Sequence, residues 1–106
     1  MTLSSPLIFK KNTVIEKHQI EGNDSPGRYF SRSVPITRTA TGYSAKFQYE
    51  AVTAETPSFP TIQECLQALA VHLQKVEFRR LRTRLNFRGK RYYAEKEPWV
   101  DYPDPT

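Results

Sequence analysis

Residues 60–76 have the sequence PTIQECLQALAVHLQKV, and this stretch decides the predicted fold class. Thr61 followed by Glu64 forms a capping box, in which the two side chains satisfy backbone N–H groups at the start of a helix. After the cap, apolar residues recur every three or four positions, which is the spacing of one helix face. These residues are Ile62, Leu66, Leu69, Leu73 and Val76. The stretch therefore predicts an amphipathic helix that packs on a sheet.

Strand patterns lie on the N-terminal side of this helix. In residues 43–53, apolar and polar side chains alternate, which is the period of a half-buried strand. Residues 28–38 have strand composition and are joined to residues 43–53 by a turn-like connection that contains Gly42, so the two segments are predicted to form a hairpin. Residues 7–20 predict one more long strand or a ragged hairpin. Residues 21–27, EGNDSPG, predict a surface loop.

The chain of 106 residues has a length typical of one domain. The predicted fold class is α+β, with an antiparallel sheet of three to four strands packed on one main α-helix. A C-terminal hairpin or strand and an extended tail complete this fold. We expect residues 1–96 to form the domain and residues 97–106 to form a Pro-rich, acidic and aromatic tail.

The composition argues against several classes of protein. Cys65 is the single cysteine, so neither an internal disulfide nor a cysteine-based metal cluster is expected. Neither His18 nor His72 has a carboxylate or cysteine at a metal-binding spacing, and no phosphate loop or nucleophile elbow occurs. We therefore expect no catalytic residues, no metal and no cofactor, and predict that the protein is not an enzyme. No apolar run approaches the length of a membrane-spanning helix, and a cytoplasmic location is expected.

A second apolar helix face is predicted if the helix continues beyond Glu77. An apolar face of this kind would not stay exposed to water, and three possibilities stay open. The helix bends or ends near Glu77, the C-terminal residues fold over the face, or another protein chain covers it. The only tryptophan, Trp99, lies in the tail, and its burial on this face is preferred over a role in binding another domain. The candidate partner-binding residues are Val71, Phe78, Leu81 and Trp99.

Basic and aromatic residues are concentrated in residues 75–93. Eight Lys and Arg side chains occur in residues 75–91, with Glu77 as the single acid. On a helix, the spacing of Lys75, Arg79 and Arg82 would form a positive stripe. Arginine donates paired hydrogen bonds to phosphate or guanine, and aromatic rings stack on unpaired bases. The candidate nucleic-acid-binding residues are Lys75, Arg79, Arg82, Arg84, Arg88, Lys90, Arg91, Tyr92 and Tyr93.

The residues that open the helix also carry a resemblance. In FPTIQECLQALA, residues 59–70, the residues Phe59, Thr61 and Glu64 and the apolar positions that follow resemble the start of the helix in AP2-type DNA-binding domains, which combine a three-stranded sheet with one helix. The stretch is also similar to small antitoxin domains of the HicB type. Any capped amphipathic helix shares these residues, so the resemblance implies a similar local architecture and no function.

Two functions are therefore predicted from the sequence. The first is a non-enzymatic module that binds nucleic acid through residues 75–93. The alternative is a protein-interaction subunit or adapter, in one form a homodimer, that uses the second apolar helix face and Trp99 to bind an acidic protein or a second copy. The net charge of +5 suits an acidic partner in either case. An ordinary solvated face, with arginines paired to nearby acids, is the structural alternative to both.

Overall fold

The structure is a computed structural model that describes residues 13–88, the backbone of residues 91–92, and residues 97–106. Seven strands and one helix follow one another along these residues. They are β1 (Val14–Asn23), β2 (Tyr29–Thr39), β3 (Gly42–Tyr49), β4 (Val52–Glu55), α1 (Ile62–Lys75), β5 (Arg79–Arg88), β6 (Arg91–Tyr92) and β7 (Val100–Tyr102).

The strands form one antiparallel sheet with β1 at its centre. Six strands lie in the order β4-β3-β2-β1-β5-β6, and β7 pairs with the edge of β5 that faces away from β1. The predicted hairpin is confirmed, because β2 pairs antiparallel with β3. The predicted fold class, a sheet of three to four strands on one main helix, is wrong. The main difference is the ten-residue strand β5, which includes Arg79, Leu81 and Arg82, residues assigned above to the faces of a helix that continues beyond Glu77.

Helix α1 begins where the sequence predicts and ends earlier. The Thr61 hydroxyl accepts a hydrogen bond from the backbone N–H of Glu64 at 3.2 Å, and Leu66, Leu69 and Leu73 are buried. At the other end, Glu77 adopts a left-handed backbone conformation with φ +72°, which stops the helix and redirects the chain. A second apolar helix face therefore does not form.

The core lies between α1 and one face of the sheet. Phe78, directly after the helix, is 2% exposed and makes edge-on ring contacts with Phe30, Phe47 and Tyr49 at centroid distances of 5.2 to 6.3 Å. Of the three explanations left open by the sequence, the structure shows a helix that ends before Glu77. Four strands precede this helix and β5 follows it, so the resemblance to domains of three strands and a helix does not extend past the helix cap.

The C-terminal segment belongs to the same sheet. Tyr102 of β7 is buried, and its hydroxyl lies 2.8 Å from Thr83 Oγ1 and accepts a hydrogen bond from Gln63 Nε2 at 3.1 Å. The segment therefore lies along β5 and does not cross a second helix face. The boundary between residues 96 and 97 stays a prediction. None of the helices in the described ranges is long and apolar enough to cross a membrane.

Candidate functional site

One face of the sheet is covered by α1, and the opposite face carries a polar and cationic surface. Paired residues of neighbouring antiparallel strands project to the same face. Ile20 of β1 pairs with Thr83 of β5, and both are buried on the helix side. One position along, Glu21 pairs with Arg82, and their side chains project to the other side. In the part of the chain that the structure describes, no helix lies on that side, which we call the open face.

Two arginines of β5 meet the tryptophan of the C-terminal segment at the open face. The guanidinium carbons of Arg82 and Arg84 lie 4.2 Å and 4.1 Å from the centre of the Trp99 ring. A cation this close to an aromatic ring is attracted by about 0.5–2 kcal/mol. We call Arg82, Arg84 and Trp99 the Arg–Trp cluster. It holds two cationic groups and one aromatic group at a single point of the surface.

Hydrogen bonds to β1 orient both arginines. Arg82 Nε donates to Glu21 Oε2 at 2.7 Å, and Arg84 Nε donates to Gln19 Oε1 at 3.3 Å. A guanidinium has five N–H groups, and within the described residues Arg84 donates only the one on Nε. Arg84 therefore keeps donors for an anionic ligand.

Glu21 connects the Arg–Trp cluster to β2. Its second carboxylate oxygen accepts a hydrogen bond from the Tyr29 hydroxyl at 2.7 Å. Burial favours the neutral acid, but the hydrogen bonds from Tyr29 and Arg82 outweigh it and hold the pKa of Glu21 below its usual value. The ionised carboxylate thus fixes the exposed Tyr29 and the partly buried Arg82 in one arrangement.

The predicted basic residues are divided among different surfaces. The helical stripe of Lys75, Arg79 and Arg82 is wrong, because Arg79 and Arg82 belong to β5. Lys75 is the exposed last residue of α1, and Arg79 donates to the carbonyls of Gln74 and Phe78, where it closes the turn between helix and strand. Among the predicted cations whose side chains the structure describes, Arg82 and Arg84 are the two that join the Arg–Trp cluster.

The remaining candidates are placed as follows. Val71 is exposed on α1, whereas Phe78 and Leu81 are buried in the core and cannot contact a partner of the folded protein. The backbone of Arg91 and Tyr92 forms β6. Lys90 and Tyr93 lie outside the described residues.

Arg88, another of the predicted cations, belongs to a second polar cluster on the helix side of the sheet. Arg88 Nε donates to Glu16 Oε2 at 2.8 Å, and the other oxygen of Glu16 lies 2.9 Å from His18 Nε2. Burial lowers the pKa of His18, although its hydrogen bond to Glu16 opposes this. His18 and Arg88 line a cleft of about 310 Å³ together with Gln63. No metal-binding group of three or more His, Cys, Asp or Glu residues occurs among the described residues.

Gln19, Glu21 and Tyr29 organise the open face and are not among the residues predicted from the sequence. Residues 80–85, RLRTRL, alternate arginine with apolar or hydroxyl side chains. This period of two predicts a strand whose arginines share one face. From this alternation, Arg82 and Arg84 could have been predicted to lie next to each other on one face of a strand.

Comparison of the chain with models of known protein families, with curated proteins and with solved structures found no significant match. Function is therefore argued from the chemistry of the described surfaces.

Proposed function

We propose that the protein is a non-enzymatic module that binds single-stranded nucleic acid on its open face. The observation that carries this proposal is the Arg–Trp cluster on the sheet face that α1 leaves uncovered. Arg84 supplies N–H donors for phosphate oxygens, and the aromatic rings of Trp99 and Tyr29 supply faces for bases. Cations beside aromatic rings are the usual combination at surfaces that bind unpaired strands.

The shape of the surface favours a single strand over a duplex. A duplex is read by an element that enters a groove, whereas unpaired bases can lie flat on side chains of a sheet. Tyr29 is 64% exposed, and its hydroxyl bond to Glu21 limits the movement of its ring. Such a preoriented ring loses little freedom when a base stacks on it.

A further cation, Lys17 of β1, lies on the same face of the sheet. Lys17 pairs with Phe87 in the β1–β5 register, and its ammonium lies 5.4 Å from the ring centre of Phe87. Beyond β5, Lys90 and Arg91 follow in the sequence. Because cations of this face would neutralise phosphates, we expect the affinity to fall with added salt, although Glu21 and Asp101 offset part of the positive charge.

The protein-interaction alternative now has fewer residues to support it. Its second apolar helix face is absent, and of its four residues only Val71 and Trp99 have exposed or partly exposed side chains. We treat binding of an acidic protein or formation of a homodimer as an outcome of the test below.

The test compares two arginine variants that remove the same charge. Arg84→Gln removes a guanidinium from the Arg–Trp cluster. Arg38→Gln removes a guanidinium that lies 5.4 Å from the ring centre of Tyr43, at a site outside the cluster. Binding of a fluorescent single-stranded oligonucleotide is measured by anisotropy over a salt series. We expect Arg84→Gln to reduce the slope of log affinity against log salt by about 0.7, whereas Arg38→Gln changes it little.

The fluorescence of Trp99 gives a second measurement on the same samples. Trp99 is the only tryptophan, so its emission reports on the Arg–Trp cluster alone. A stacked base is expected to quench it. Binding that leaves both Trp99 emission and the Arg84→Gln affinity unchanged would contradict the proposal. Absence of oligonucleotide binding at low salt, together with a concentration-dependent dimer in sedimentation, would favour the interaction subunit.

A further inference from the structure

A hollow of about 560 Å³ opens at one end of the open face, next to the Arg–Trp cluster. Arg82 lines both the hollow and the cluster, so a strand bound along the open face would pass the mouth of the hollow. Its polar lining includes Glu21, Asn23, Tyr29, Arg80, Asp101 and Asp104.

A bulge between β1 and β5 creates this hollow. The register shifts between Glu21 and Asn23, and Arg80 adopts a left-handed conformation with φ +58°, which side chains other than glycine rarely adopt. The backbone N–H of Arg80 donates to Asp104 Oδ1 at 2.8 Å, which holds the bulge in place. Arg80 thereby leaves the regular alternation of β5 and lines the hollow.

Two opposite charges in the hollow have no partner among the residues that the structure describes. Within the described ranges, neither the guanidinium of Arg80 nor the carboxylate of Asp101 makes a hydrogen bond or ion pair with another group. By contrast, Glu21 already binds Tyr29 and Arg82. The hollow therefore offers a forked donor and a two-oxygen acceptor in addition to the exposed ring of Tyr29.

We propose that this hollow takes a guanine base of the bound strand, an inference that rests on the proposed function. Guanine presents two neighbouring acceptors, O6 and N7, to a guanidinium such as that of Arg80. Its Watson–Crick edge presents the N1–H and N2–H donors, which match the two oxygens of Asp101. Adenine would turn an amino group toward Arg80, and pyrimidines have no N7. Tyr29 supplies a stacking face for the same base.

The experiment uses the full chain and two DNA strands, one of thymine alone and one with a single central guanine. Strands with a central adenine or cytosine serve as base controls. By anisotropy, we expect the guanine strand to bind about 5- to 100-fold more tightly than the thymine strand. Asp101→Asn and, independently, Arg80→Gln are each expected to remove most of this preference while binding to the thymine strand persists.

A charge control separates base recognition from general electrostatics. Asp101→Asn removes a negative charge, which by itself is expected to strengthen the binding of any strand. Glu97→Gln measures this effect, because Glu97 is exposed and does not line the hollow. If all strands bind equally and Arg84→Gln still weakens them, the guanine site is refuted and the proposed function stands. The guanine site is also refuted if both variants retain the preference while they are folded by circular dichroism. If no strand binds, both proposals are refuted.

Discussion

Asp24 holds together the turn between β1 and β2 and connects it to β3. Its Oδ1 accepts the backbone N–H of Arg28 at 2.7 Å, and its Oδ2 accepts both Arg28 Nε at 2.9 Å and the Tyr49 hydroxyl at 2.7 Å. The side chain is only 2% exposed. Burial opposes its ionisation, but the bonds from Tyr49 and Arg28 outweigh this and lower the pKa of Asp24.

The pH dependence of stability should change when Asp24 loses its charge. Because the pKa of Asp24 is lower in the folded state than in the unfolded state, its contribution is complete above the unfolded pKa and is lost as pH falls through the folded pKa. We expect Asp24→Asn to lower Tm at pH 7 by at least about 4 °C. On acidification from pH 7 to pH 3, the Tm of Asp24→Asn should fall by less than the Tm of the wild type. Thermal melts from pH 7 to pH 3 measure both effects.

Glu55→Gln is the control for this prediction. It removes an exposed carboxylate from β4, for which the described residues show no ion pair. Its acid dependence should follow that of the wild type. If plots of Tm against pH are parallel for Asp24→Asn and the wild type, Asp24 does not account for the loss of stability in acid.

At the scale of elements, local patterns predict where segments begin better than where they end. The cap at Thr61 and Glu64 was predictable because both partners lie within one turn of the helix. The left-handed Glu77 was not, since neither the residue nor its neighbours resemble a glycine stop. If the helix is continued past Glu77, the spacing of Arg79 and Arg82 also fits one helix face. The helical interpretation was therefore preferred over the period-two pattern of β5.

The candidate site depended even more on contacts between distant segments. Trp99 reaches Arg82 and Arg84 because β7 pairs with β5, with Leu81 opposite Tyr102. Strand pairing between separate parts of a chain is set by tertiary packing and not by local sequence. The residue types of the site were therefore predictable, but the contact between Trp99 and the two arginines was not.

The hydroxyl of Tyr102 is predicted to secure β7 to the domain. Tyr102→Phe would leave the Thr83 hydroxyl, 1% exposed, without this partner and remove the acceptor of Gln63. We expect a loss of about 1–3 kcal/mol in the free energy of unfolding, measured by urea denaturation. Tyr43→Phe is the matched control, because the Tyr43 hydroxyl makes no hydrogen bond within the described residues. Equal stability of the two variants would disprove the prediction.

For the whole molecule, the strand order predicts a gradient of stability across the sheet. β1 pairs with β2 on one side and β5 on the other, whereas β4 is a four-residue strand paired only with β3. Opening β1 requires disruption of the core, but β4 can separate locally. We expect amide hydrogen exchange to be slowest in β1 and markedly faster in β4, as followed by NMR. Equal protection of the two strands would argue against this sheet order.

The central position of β1 has a consequence for synthesis on the ribosome. β1 is made before its partner β5, which ends at Arg88, 65 residues after the end of β1 at Asn23. At typical elongation rates, one edge of β1 waits roughly 3 to 13 s for its partner. An unpaired apolar strand would aggregate during such a delay. The sequence of β1, VIEKHQIEGN, has only three large apolar residues. The strand with the delayed partner therefore has a low tendency to aggregate while one of its edges is unpaired.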